Sequence, residues 1–271
     1  MAQGYARYWL AHAISRAFPP GGNLWMAERL ADAYWDLAVT ERAAIRSNLA
    51  AILGRPIDDD SPMVREVFRG FGRYLAEFFV ADRLTPSQLV IEGLDALAGV
   101  LPPRQGAIVL TAHLGNWELG AISLHRAGYA VSAVALPHEN PRVNALFDRQ
   151  RRRCGVEVVP LGLGAGSRCL EALRSGRLLG IAGDREFGRN GIRVDFLGRS
   201  TVLPRGPATL SLRARAPVVP MFLVREGPWR FRFHVEPPIL PERATVEQLT
   251  QRYAAAIERH VRRFPEQWIV F

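Results

Sequence analysis

The chain has 271 residues with 48% apolar and 23% charged, an ordinary globular composition that excludes disordered, collagenous and disulfide-scaffold proteins. Its formal net charge is +9, from 35 cationic and 26 acidic residues, and every cation is Arg. The longest uncharged stretches, 105–117 and 127–138, run thirteen and twelve residues, short of the roughly 20 that a membrane-spanning helix needs.

In chain order, Leu10, Ile14 and Phe18 mark one helical face, and Pro19-Pro20-Gly21-Gly22 predicts its stop. A second helical pattern runs through Trp25, Met26, Leu30, Tyr34, Leu37 and Ile45. Asp58-Asp59-Asp60-Ser61-Pro62 is a start signal with Pro at the first helical position, leading into Val64, Val67, Phe68, Phe71, Tyr74, Leu75, Phe78 and Phe79. The first 85 residues therefore read as helical. Because Arg7, His12 and Arg16 interrupt its beginning, no signal peptide is expected. Trp9, Trp25 and Trp35 in this portion fit either a layer packed on the core or an aromatic, Arg-rich surface at a lipid interface.

From residue 106 the pattern changes. Strands are expected at 106–111, 129–136, 156–161, 178–182 and 218–224, with helices at 117–127, from Asn140-Pro141 to Gly155, at 167–174 and at 207–213. Phe231 to Val235 alternates with period two and reads as an edge strand, and 245–264 as a closing amphipathic helix. Strands alternating with helices imply an α/β fold with a mostly parallel central sheet flanked by helices. One domain over 1–271 is expected, a helical portion at 1–85 followed by an α/β core at 86–271.

The sharpest chemical feature is Thr111-Ala112-His113-Leu114-Gly115-Asn116-Trp117-Glu118, where a buried strand ends and a helix begins, the place where α/β folds bind ligands. A general base needs an imidazole whose tautomer an acceptor fixes; a carboxylate in the next turn, Glu118, could hold Nδ1–H while Nε2 faces a substrate hydroxyl. Gly115 would let backbone approach the reacting group, and free N–H groups after His113 could bind an oxyanion. A helix-capping or core-satisfied histidine is the alternative. Gly162-Leu163-Gly164-Ala165-Gly166 follows a strand but has GxGxG rather than GxGxxG spacing, so it argues only weakly for a dinucleotide. Cys154 and Cys169 have no metal-ligand spacing, so no metal is expected and a reduced compartment fits. In the run Arg149, Arg151, Arg152 and Arg153, helical spacing turns Arg151 to its own face. No nucleic-acid-binding motif is present.

The His113 to Glu118 segment resembles the H-x4-D/E motif of the glycerolipid and lysophospholipid acyltransferases. Four later segments are similar to the branch that acylates lipid A and phosphatidylinositol mannosides. They are His138-Glu139-Asn140-Pro141 through Arg151, Gly183-Asp184-Arg185-Glu186, Val194 to Gly198 with Gly206-Pro207-Ala208, and Phe264-Pro265-Glu266-Gln267-Trp268. The resemblance implies a glycerolipid acyltransferase-like fold and transfer of a fatty acyl chain from acyl-CoA or acyl carrier protein to a hydroxyl of a membrane glycolipid or phospholipid. It assigns His113 as base and Glu118 as its orienting acid, and puts Asn116, Asn140, Arg151, Asp184, Arg185 and Glu186 at the substrate, with Arg151 or Arg185 holding phosphate. Asp184 reads better as a partner for Arg or a sugar hydroxyl than as a second base. No cofactor is implied beyond the acyl donor. With no spanning segment legible, a peripheral position on an anionic membrane, at the cytoplasmic face of the inner membrane, is expected. An acyl thioesterase and a non-catalytic lipid-transfer protein are the alternatives.

Overall fold

A computed structural model describes residues 2–101, 105–188 and 190–271. The chain opens with α1 (Ala2–Ala17), α2 (Pro20–Tyr34) and α3 (Val39–Leu53). The Pro-Pro-Gly-Gly segment is both a stop and a restart, because Pro20, with no N–H to satisfy, takes the first position of α2. The second helical pattern is likewise two helices, broken by a 3-10 turn at Trp35–Leu37. Helix α4 (Pro62–Val80) starts where its Ser-Pro signal predicts and packs against all three, with Phe78 and Phe79 wholly buried.

The strands that follow are β1 (Val90–Glu92), β2 (Ala107–Thr111), β3 (Val131–Ala135), β4 (Glu157–Pro160) and β5 (Leu178–Ala182), then β6 (Ile192–Phe196), β7 (Arg199–Leu203), β8 (Val218–Gly227) and β9 (Arg230–Val235). Between them lie α5 (Trp117–Arg126), α6 (Pro141–Arg153), α7 (Ala165–Arg174) and α8 (Gly206–Ala214), and α9 (Val246–Arg263) follows β9. The main sheet has the order β1-β9-β8-β2-β5-β3-β4 and is parallel except at β8–β9. It is the expected α/β layering, with helices on both faces. Alternation along β2 sends Ile108 and Leu110 into the core shared with α9 and Ala107 and Val109 into the core shared with α4 and α5.

Two strand assignments differ from the sequence reading. The segment at Phe231–Val235 is not the edge, because β1, only three residues long and without visible alternation, pairs outside it. The segment at 194–198, for which no strand is expected from the sequence, belongs to the hairpin β6–β7, closed by Leu197 and Gly198, both at positive φ (54° and 71°) as a type I′ two-residue hairpin turn requires.

Candidate active site

Strands β2 and β5 are neighbours in register, Thr111 opposite Ala182, and the Gly183 N–H donates to Thr111 O at 2.9 Å. Continuing two residues along each chain brings His113 to Asp184. The His113 Nδ1 lies 2.8 Å from Asp184 Oδ1, and the His113 backbone N–H donates to Oδ2 at 2.8 Å. The Trp268 indole N–H donates to the same Oδ2 at 2.9 Å. The Asp184 side chain is fully buried. Burial alone would raise its pKa, but the facing imidazole and these hydrogen bonds outweigh it and hold the carboxyl below its ordinary range. An anionic acceptor at Nδ1 keeps the proton on that nitrogen and leaves the Nε2 lone pair outward. Nε2 has no partner among the described residues, and the side chain keeps 20% exposure beside the Trp117 ring, 4.8 Å away.

The loop carrying His113 is held on two sides. Gly115 has φ of +63°, and a Cβ there would lie 2.0 Å from Leu223 O, so the position needs glycine for packing against β8 rather than for access to a substrate. The Gly115 N–H donates to Gln267 O at 2.9 Å, Asn116 N–H to Leu223 O at 3.0 Å, and Ile269 N–H to His113 O at 2.7 Å. The N–H groups of Gly115 and Asn116 are thus unavailable to an oxyanion. Those of Trp117 and Glu118, which begin α5, have no acceptor among the described residues.

Glu118 does not orient His113. It is buried against α6, accepting from Arg151 Nε at 3.1 Å and Nη2 at 2.5 Å, while Arg151 Nη1 reaches Asp148 at 3.3 Å. Burial alone would lower the Arg151 pKa, but the Glu118 carboxylate dominates and pushes it further up. Asn116 is wholly buried as the N-cap of α5, accepting from Leu119 N–H at 3.0 Å and donating to Glu77 at 2.8 Å, so it does not reach a substrate. Asn140 caps α6 through the Arg142 N–H at 2.9 Å. Glu186 accepts from Gly188 N–H at 2.5 Å. Half-buried Arg185 lies over the Phe187 ring, 5.2 Å away, with no ion pair among the described residues.

Behind the loop lies a buried ion pair to which nothing in the sequence points, Glu77 with Arg225 (Nε to Oε1 2.9 Å), in which Glu77 has no exposure. No local pattern links α4 to β8. Behind Trp117, with Thr111, Gly120, Leu124 and Gly180 also in its lining, is a narrow apolar cavity of about 30 Å³ between α5 and the sheet.

The profile of the bacterial lipid A biosynthesis acyltransferases matches residues 4–271. The chain belongs to that family. It is 31% identical over 240 residues to a phosphatidylinositol mannoside acyltransferase of Mycobacterium tuberculosis, covering 83% of this chain and 74% of the relative. A lipid A biosynthesis acyltransferase of Haemophilus influenzae is 25% identical over 181 residues, covering 65% and 56%. The 1-acyl-sn-glycerophosphate acyltransferase of Thermotoga maritima overlays with a TM-score of 0.44 and 15% identity, over 90% of this chain and 99% of its own. As a member of the lipid A acyltransferase family the protein is an acyltransferase, with an acyl donor and a lipid acceptor. No described helix is long and apolar enough to cross a membrane. Trp9 and Trp25 are 51% and 59% exposed, whereas Trp35 is buried against Phe68 and the guanidinium groups of Arg42 and Arg65, which removes it from any lipid-facing set.

Proposed function

We propose that the protein moves a fatty acyl chain from a thioester donor, acyl-CoA or acyl carrier protein, to a hydroxyl of a glycolipid or phospholipid at the cytoplasmic face of the inner membrane. The observation that carries this is the His113–Asp184 pair with its open Nε2. His113 takes the proton of the acceptor hydroxyl as the oxygen attacks the thioester carbonyl, and Asp184 stabilises the imidazolium that forms. The free N–H groups at the start of α5 face developing negative charge. The thiol leaves as the intermediate collapses, taking back the proton from Nε2. No enzyme nucleophile is required, since attack is direct.

Arg151, fully occupied by Glu118 and Asp148, is a poor phosphate clamp, so that role passes to Arg185. The apolar cavity beside Trp117 is the entry for the acyl chain; at about 30 Å³ it admits a chain only as Trp117 and α5 give way. The test is radiolabelled acyl donor mixed with lipid extract. Labelled lipid supports transfer; labelled free acid alone means hydrolysis, and retention without turnover means binding only.

A further inference from the structure

A polar crevice of about 210 Å³ lies where the end of α1, the start of α2 and the end of α4 meet, lined among others by Ser15, Arg16, Phe18, Asn23, Arg83 and Gln88. It shares no lining residue with the cavity behind Trp117, and neither His113 nor Asp184 lines it. Asn23 is 1% exposed, yet its Oδ1 has no hydrogen-bond partner among the described residues, while Nδ2 makes a long contact of 3.4 Å to Ser15 O. A buried amide oxygen in that state calls for an O–H or N–H donor from whatever fills the crevice.

The other groups there are donors. Arg16 is neutralised by Asp82 at 2.8 Å and also holds Phe79 O. Arg83 gives one N–H to Arg16 O and has no acidic partner among the described residues, so its charge is uncompensated. Gln88 Oε1 is taken by Thr85, leaving its amide N–H groups outward. Between the lining residues Pro20 and Asn23, the first N–H groups of α2, on Gly21 and Gly22, have no acceptor among the described residues, and nothing lies within 4 Å of where a Gly21 Cβ would stand. Cation, amide donors and helix start together suit a phosphate, and the Asn23 acceptor beside them suits a hydroxyl. An ammonium would also satisfy Asn23, but it would sit against Arg16 and Arg83. At ~30 Å³ per water the crevice equals roughly seven waters, room for a phosphate and a three-carbon polyol.

We propose that this crevice binds the headgroup of an anionic phospholipid whose phosphate carries a polyol, with the phosphate at Arg83 and the start of α2 and a polyol hydroxyl donating to Asn23 Oδ1. A bilayer source is favoured because Phe18, 43% exposed, lines the crevice and Trp25, 59% exposed, follows on α2, apolar surface suited to the headgroup boundary. The proposal concerns binding and stands or falls separately from acyl transfer.

The full chain is sedimented with phosphatidylcholine vesicles containing equal fractions of phosphatidylglycerol or phosphatidylserine, which carry the same net charge. Phosphatidylglycerol should be preferred by roughly 2- to 10-fold, the worth of one hydrogen bond. Arg83→Ala, at a surface position, should weaken phosphatidylglycerol binding more than phosphatidylserine binding, and Asn23→Ala should abolish the preference. Should Asn23→Ala not fold, the Arg83→Ala comparison decides. Equal binding of the two lipids by the unaltered protein, or an undiminished preference in Arg83→Ala, overturns the site. Saturation by free glycerol phosphate that leaves vesicle binding unchanged overturns the lipid as its occupant.

Discussion

Replacing Asp184 with Asn alters the chemistry of one atom in a fully buried side chain. Two obligatory donors, the His113 backbone N–H and the Trp268 indole, meet Oδ2, so the amide oxygen of Asn takes that position. Its NH2 then faces His113 Nδ1 across 2.8 Å. An NH2 there can only donate, so Nδ1 must become the acceptor and the ring proton moves to Nε2, the atom that has to accept the substrate proton. A positioned base contributes about 10²–10⁴ in rate, and the same tautomer error in a serine protease costs about 10⁴. The expected fall in kcat is about 10³–10⁴-fold, measured as initial rates with labelled donor and lipid extract. Stability gives a second readout. Because the folded pKa of Asp184 lies below its unfolded value, ionised Asp184 stabilises the fold above about pH 4, and that contribution is lost as pH falls through the folded pKa. The Asn variant lacks it, so urea midpoints of the two proteins should differ at pH 7 and converge in acid. A folded Asp184→Asn protein with near-normal turnover refutes the pairing of His113 with Asp184 as the working dyad.

His113→Ala should lose about 10²–10⁴ in turnover with thermal stability little changed; normal transfer by the folded variant removes the mechanism. Trp268→Phe keeps the ring beside Phe196 but deletes the bond to Asp184, so kcat should fall several-fold and the acid limb of the pH–rate profile should move with KM little altered; an unchanged profile makes Trp268 purely structural. Arg151→Ala leaves Glu118 buried and unpaired, which costs about 3–5 kcal/mol, and the paired change Glu118→Leu/Arg151→Met should recover part of it in urea titration; a stable Arg151→Ala protein with raised KM would instead restore Arg151 as a substrate clamp. Vesicle co-sedimentation should decline from low to high salt as Arg–lipid attraction is screened, leaving a salt-resistant part from Trp9 and Trp25; equal binding to neutral and anionic vesicles at all salt concentrations excludes the charge contribution.

Local pattern was enough to place His113, because a buried apolar strand followed by a glycine turn and an amphipathic helix is written in consecutive residues. Its partner was not, because the pairing depends on strand order. β5 follows β3 and β4 in the chain but inserts between β2 and β3, and only that insertion sets Ala182 opposite Thr111 and Asp184 beside His113. The choice of Glu118 from spacing failed for a helical reason. Trp117 opens α5 and turns its ring to the imidazole, and the next residue, about 100° further round the helix, turns away toward α6. The Pro-Glu-x-Trp resemblance marked the C-terminus without revealing that Trp268 completes the site, since its indole meets Asp184 across 84 positions of sequence.

The two buried ion pairs show the same division between what sequence states and what packing decides. A buried pair adds little net stability over apolar residues of equal size, so stability alone is a weak reason for placing four charges here. Their geometry supplies a better one. Glu118–Arg151 joins the start of α5 to α6, and Glu77–Arg225 joins α4 to β8, with Asn116 bonding Glu77 at the N-cap of α5. Each contact becomes strongly unfavourable if one partner shifts away, because a lone charge would remain buried. Apolar packing alone tolerates small sliding; these pairs do not. They therefore fix the first turn of α5, whose free N–H groups and Trp117 ring border the imidazole, against three separate elements of the core.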